Sequence, residues 1–264
     1  MIKKIHHLDC GSFCPHLGQQ LFGVDHFCCH CLLIETDQRL ILVDTGLSEL
    51  YLQQNSDFFR KFINNPDFKP QQSALMQVCK LGYKADDVTD IIATHVDQDH
   101  VGGIPDFKKA RIHMHYKEKN YLDPNYVDKM KRFSRVYFQN GNEIVTYDDF
   151  GQDWNGFQSV RMFEGIDDEI FLVPLVGHSA GHSGVVIRQD QQWIFHAGDA
   201  YFIQEDLSTH ILQKNMKSEV FQSVLAEHNK HRLENQKKLS ELQNQKSNIQ
   251  LINSHDPRYL IINS

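Results

Sequence analysis

The sequence predicts a layered α/β fold. Three observations carry that reading. Short apolar, β-branched runs alternate with helix-like stretches in both halves of the chain. Residues able to bind metal stand at the ends of several of those runs, where such folds place their chemistry. No internal repeat or Pro/Gly/Ser-rich linker interrupts the 264 residues, so 1–264 reads as a single domain.

The elements follow in order. Residues 28–35 (CCHCLLIE) and 40–43 (LILV), joined by Asp37-Gln38-Arg39, have the composition of a hairpin that hands over to Asp44-Thr45-Gly46. Helices are expected over 47–64 and 72–81, the second stopped by Gly82. The run 88–94 reads as a buried strand that delivers the chain into His95. Residues 110–116 read as another, with His113 and His115 on one face. The stretch 117–165 is the least legible, with a short helix expected at 126–133. Strands resume at 169–176, 184–189 and 193–196, followed by Gly198-Asp199. One long helix is expected over 217–246, packing Phe221, Val224, Leu225, His228, Leu239 and Leu242 against a sheet. A last strand, 249–252, ends in Asn253-Ser254-His255-Asp256.

Composition narrows the function. A formal net charge of −7 speaks against broad nucleic-acid binding, which runs on a basic surface. No apolar run approaches the roughly 18–20 residues of a membrane span. Lys3 and Lys4 are not followed by an apolar stretch, so the start does not read as a secretory signal, and a cytoplasmic location is expected. The six cysteines then read as free thiols. Cys28, Cys29 and Cys31, with Cys10 and Cys14, lack the spacing of paired zinc knuckles and read as buried or semi-buried thiols, and Cys79 as a core residue of its helix.

The strongest signal is Thr94-His95-Val96-Asp97-Gln98-Asp99-His100-Val101-Gly102-Gly103. Four potential ligands within six residues, just after a buried strand, suit zinc, iron or manganese. The glycines are expected to let the backbone turn sharply beside them.

This segment resembles the signature of the metallo-β-lactamase superfamily, whose usual form is His-x-His-x-Asp-His. The family's other landmarks appear in order: Asp44 in Val-Asp-Thr-Gly, His178 in Gly-His-Ser, Asp199 in Gly-Asp-Ala and His255 in Ser-His-Asp. The resemblance implies an αββα sandwich of two mixed sheets flanked by helices, with two divalent metal ions at one edge. It implies His95, Asp97 and His178 on one ion and Asp99, His100 and His255 on the other. Asp199 would bridge them together with a water or hydroxide, and Asp44 would buttress the site. Zinc is the first expectation, with iron or manganese open because Asp97 stands where the family usually has histidine. That substitution adds an anion, which should weaken the Lewis acid.

The implied function is a hydrolase using a bridging hydroxide on a small ester, lactone or thioester, with Asp99 as the proton carrier. Among small members, acyl-homoserine lactonases are nearest in size. They carry a tyrosine shortly after the bridging aspartate, which makes Tyr201 a catalytic candidate, although it comes one place early. His182 and His196 read as residues supporting the site, and the segment 13–27 as a loop that could overhang it. The rivals are an iron-dependent redox enzyme of the same fold and a non-catalytic metal-binding protein. By analogy alone, a homodimer is possible.

Overall fold

The computed structural model describes residues 1–15, 18–54, 65–128, 132–163, 169–210 and 213–262. The strands are β1 (Ile2–Phe13), β2 (Phe27–Thr36), β3 (Leu40–Val43), β4 (Pro66–Asp67), β5 (Asp90–Ile92), β6 (Arg111–His115) and β7 (Ile144–Tyr147), then β8 (Gln152–Trp154), β9 (Phe157–Arg161), β10 (Ile170–Pro174), β11 (Ser183–Gln189), β12 (Gln192–His196) and β13 (Ile249–Ile252). They form two sheets, ordered β4-β1-β2-β3-β5-β6-β7 and β13-β12-β11-β10-β9-β8. The first is antiparallel from β4 to β3 and parallel from β3 to β7. The second is antiparallel except for the β12–β13 pair.

Alternation along β2 and β3 shows how the layers assemble. Leu32, Ile34, Ile41 and Val43 meet Leu172, Val185, Ile187 and Phe195 of the second sheet. Leu33, Leu40 and Leu42 point the other way, onto Ala74, Val78, Ile104 and Phe107. Both faces are covered, which is why these strands read as continuous apolar runs rather than alternating ones. Two mixed sheets with helices outside them match the metallo-β-lactamase sandwich.

The helices are α1 (Gly18–Phe22), α2 (Glu49–Gln54), α3 (Ala74–Lys80), α4 (Gln98–Val101), α5 (Met216–Leu225), α6 (Asn229–Gln245) and α7 (Arg258–Ile262). The helix expected over 47–64 is described only as α2, and 55–64 lie outside the described residues. The long helix expected over 217–246 is two. The chain leaves α5 at Ala226, and the next two amides, of Glu227 and His228, donate to the carbonyls of His178 and Gly177. Leu239 and Leu242 are buried as expected, but Val224 is 67% exposed, because the break turns α5 onto α1 with Phe221 against Phe22. Of 126–133, the described residues are not helical; a 3₁₀ turn follows at Arg135–Phe138.

Three more features depart from expectation. Strands β7 and β8 are edge strands and β9 lies next to the edge, where weak alternation suffices, and the sequence reading missed them along with β1. Cys10, Cys28, Cys29 and Cys31 are buried, but Cys79 is exposed, since α3 turns Ala74 and Val78 inward instead. The segment 13–27 contains α1, and residues 16 and 17 lie outside the described set. Among the described residues, no helix is long and apolar enough to cross a membrane.

Candidate metal centre

The chemistry-bearing residues follow the ends of β5, β10, β12 and β13, which gathers segments far apart in sequence at one edge of the two sheets. Strand β5 is fully buried and leads through Thr94 to His95. Asp97 stands at the N-cap of α4 but makes no capping hydrogen bond, so its carboxylate is free to face His95 and His178.

Three groups of potential ligand atoms each lie within 4.8 Å of one another: His95, Asp97 and His178; Asp99, His100 and His255; and His95, His100 and Asp199. Asp199 sits between the first two groups. Its Oδ1 is 3.3 Å from His100 Nε2, and its Oδ2 is 3.0 Å from His255 Nε2, 3.5 Å from His178 Nε2 and 3.9 Å from His95 Nε2. On the other side, Asp99 Oδ2 is 3.6 Å from both His100 Nε2 and His255 Nε2.

These residues fit a pair of metal ions. His95 Nε2, His100 Nε2, Asp97 Oδ1 and Asp199 Oδ1 are buried without a hydrogen-bond partner, a cost that buried polar atoms rarely bear. The supporting hydrogen bonds leave the Nε2 atoms as acceptors. His100 Nδ1 stands 2.9 Å from Asp44 Oδ2 and His255 Nδ1 2.8 Å from the Cys28 carbonyl, both pure acceptors. Thr94 Oγ1 donates to Asp44 Oδ2, which leaves His95 Nδ1 to donate to Thr94 Oγ1. Each of these rings is thereby held with an Nε2 lone pair toward the cleft.

Electrostatics follow from burial and close opposite charges. Burial pushes the Asp97 carboxyl upward, but Arg132 and His95 overcome it and hold it well below the usual carboxylate range. Burial acts in the same sense on Asp199, and the charged forms that His255 and His100 take while no metal occupies their Nε2 atoms overcome it. His178 is lowered to about 4 by burial and by Arg132.

Asp44 serves as a brace: Oδ1 accepts from the Thr94 amide, and Oδ2 accepts from Thr94 Oγ1 and faces His100 Nδ1. His182 is also a brace. Its Nδ1 donates to the Leu175 carbonyl, and its Nε2 accepts from the Asp199 amide at 2.8 Å. His196 donates to the carbonyl of His30 and does not join the ligand groups. Gly102 and Gly103 have ordinary helical φ values; they are small because a Cβ would lie 2.6 Å from the Gly46 carbonyl and 2.9 Å from that of Thr45. The reason for them is close approach, not a sharp turn.

Tyr201 requires a correction. Its ring is buried in the core between the sheets, and its hydroxyl pairs with that of Tyr259 at 3.2 Å. Phe202, one residue later, faces the site instead, with its ring 5.1 Å from that of His255 and 6.0 Å from that of His178. Successive residues leaving the Asp199 turn point opposite ways, and the one facing the cleft carries no hydroxyl.

Two residues escaped the sequence reading. Glu118 is fully buried in the 3₁₀ turn after β6 and accepts from the amides of Val96 and Gly181 and from Ser179 Oγ. Arg132 Nε donates to Asp97 Oδ2 at 2.8 Å. Both lie in the stretch of weak periodicity, far in sequence from the residues they serve, and no local pattern marks them.

The metallo-β-lactamase superfamily model matches residues 27–255. A probable metallo-hydrolase of Mycobacterium tuberculosis is 32% identical over 98% of this chain and 79% of its own length. An N-acyl homoserine lactonase of Bacillus thuringiensis is 33% identical over 85 residues, which is 31% of this chain and 34% of the lactonase. Among solved structures, an N-acyl homoserine lactone hydrolase with N-hexanoyl-L-homoserine at its catalytic metal centre superposes with a TM-score of 0.72 at 19% identity, over 98% of this chain and 95% of that one. A dizinc quorum-quenching lactonase superposes with a TM-score of 0.62 at 17% identity, over 97% and 86%. With the family's motif and fold shared from β2 to the end of β13, the chain belongs to the metallo-β-lactamase superfamily and is a metallo-hydrolase of that fold.

Proposed function

We propose that the chain is a dinuclear hydrolase acting on a small ester, lactone or thioester. The observation that carries the reading is Asp199, whose two oxygens face four histidines between two separate ligand groups. In this reading His95, Asp97 and His178 hold one divalent ion, Asp99, His100 and His255 hold the other, and Asp199 is shared. Two such ions supply a polarised carbonyl and a water-derived nucleophile at neutral pH. Zinc is the metal we propose, in keeping with four imidazoles in the set. Three carboxylates keep iron and manganese as outcomes to be tested.

The protein's own residues supply the rest. Asp99 is the most exposed of the seven side chains, at 19%, so one carboxylate oxygen is free to take a proton and return it to the leaving oxygen or sulfur. Phe27 and Phe202 stand against His255, and Phe221 extends the wall outward from Phe202. That wall favours a substrate with an apolar acyl portion. No aromatic hydroxyl is offered by Phe202, so polarisation of the carbonyl does not rest on a tyrosine there.

The test is elemental mass spectrometry on protein purified without added metal, followed by hydrolysis assays on lactones, esters and thioesters. About two equivalents of divalent metal and turnover of one class support the proposal. One equivalent or none would remove the dinuclear mechanism. Predominant iron with oxygen consumption and no hydrolysis would replace it with redox chemistry.

A further inference from the structure

We infer that Arg132 and Asp97 form one charge-balanced unit at the centre, in which Arg132 is the positioning residue for the Asp97 carboxylate. The inference rests on the proposed reading that Asp97 holds metal together with His95 and His178.

Arg132 is fixed from several sides. Its Nε and one terminal nitrogen each lie 2.8 Å from Asp97 Oδ2. The other terminal nitrogen donates to the carbonyls of Leu225, at 2.7 Å, and His178, at 3.3 Å. The Arg132 backbone reinforces this arrangement, since its carbonyl accepts from the Gln98 amide and Phe133 bridges to Asp97. The guanidinium therefore ties the Asp97 loop to the turn carrying His178 and to the end of α5.

The oxygen that Arg132 holds is the one facing the histidines: Asp97 Oδ2 is 3.2 Å from His178 Nε2 and 3.6 Å from His95 Nε2. A permanent cation, since guanidinium does not deprotonate in proteins, thus holds one oxygen of the Asp97 carboxylate while the other, Oδ1, stays without a hydrogen-bond partner. The Arg132 side chain is only 11% exposed, so water screens it poorly. A divalent ion in this group would be repelled by that charge unless an anion stood between them, and the Asp97 carboxylate is that anion. A neutral imidazole at 97 would match its neighbours His95 and His178 as a ligand type, yet it would remove the one anion Arg132 contacts among the described residues, leaving only more distant carboxylates such as Asp199 and Glu118 to offset it. The carboxylate at 97 and the arginine at 132 therefore require one another.

Four proteins test this: wild type, Asp97→His, Arg132→Met and the double variant. Metal stoichiometry is read by elemental mass spectrometry, affinity by competition with a chromophoric chelator, and ligand field by the visible spectrum of the cobalt-loaded form. We expect Asp97→His to weaken one of the two equivalents at least about tenfold, the scale on which support of a ligand acts. Adding Arg132→Met should restore affinity to within about threefold of wild type and return the cobalt spectrum of a filled site. Wild-type affinity in Asp97→His, or a double variant no better than that single one, would overturn the coupling while leaving the dinuclear reading intact. A wild-type protein that holds no metal would overturn both. If Asp97→His does not fold, judged by circular dichroism, the isosteric Asp97→Asn carries the same comparison.

Discussion

Glu118 and Ser179 lie 61 positions apart, yet the Ser179 hydroxyl donates to Glu118 Oε1 at 2.6 Å, inside the protein. The same oxygen accepts from the Gly181 amide, and Oε2 accepts from the Val96 amide. One carboxyl group therefore fastens the loop of His95 and Asp97 to the turn of His178.

Replacing Glu118 should test how far the ligand positions depend on that fastening. Glu118→Ala leaves two amides and a hydroxyl buried without acceptors, each at a cost of about 1–3 kcal/mol. A loss of roughly 3 kcal/mol or more in urea unfolding is expected, together with weaker metal retention. Glu118→Gln, which keeps one acceptor oxygen for Ser179 and Gly181 but turns an NH2 donor toward the Val96 amide, should lose less. Equal stability of wild type and the alanine variant would show that solvent or a rearranged turn satisfies these groups.

Tyr201→Phe should separate the two aromatic residues that follow Asp199. Because the Tyr201 hydroxyl meets that of Tyr259 in a buried contact, its removal should leave kcat/KM within about twofold. The stability loss should be near 1 kcal/mol, the net worth of an ordinary hydrogen bond. A fall of a hundredfold in kcat with unchanged folding would restore Tyr201 as a catalytic residue.

Stability should decline in mild acid, through groups away from the metal ligands. Burial lowers His7 to about 4, helped by His196 and His6, and lowers His115 to about 4, helped by Lys117. Between the ordinary histidine value near 6.5 and about 4, the unfolded chain takes up protons that these folded side chains refuse. Folding free energy is therefore lost as the pH falls through that window and is fully present above it. Urea titrations at pH 7 and pH 5 should differ, and the difference should shrink in His115→Gln. An unchanged slope in that variant would assign the acid sensitivity elsewhere.

Removing the metal should destabilise the fold. Asp97, Asp99 and Asp199 converge on the centre, and without metal Arg132 offsets only the first of these charges, so Asp99 and Asp199 repel. A chelator should lower Tm by several degrees, and zinc added back should restore it in a concentration-dependent way. A Tm indifferent to both would mean that the site is empty in the folded protein as purified.

The sequence alone marked every member of the potential-ligand groups found among the described residues, because each stands in a short motif at a strand end: Thr94-His95-Val96-Asp97-Gln98-Asp99-His100, Gly177-His178, Gly198-Asp199 and Ser254-His255. The central strands were legible for a similar reason, since burial on both faces writes a mostly apolar run at 28–35 and an apolar one at 40–43. What the sequence left open was decided by contacts between segments distant in the chain. Periodicity in 217–246 could not show that the amides of Glu227 and His228 would leave the helix for the carbonyls of His178 and Gly177. Spacing after Asp199 could not settle whether Tyr201 or Phe202 faces the cleft, because that depends on which one Tyr259 captures. Glu118 and Arg132 look like ordinary charges in a polar stretch until folding brings them beside Ser179 and Asp97. Local motifs record which side chains can bind; only the packed chain determines which buried partners aim and balance them, since hydrogen bonds and charges act over a few ångströms and carry no trace in sequence order.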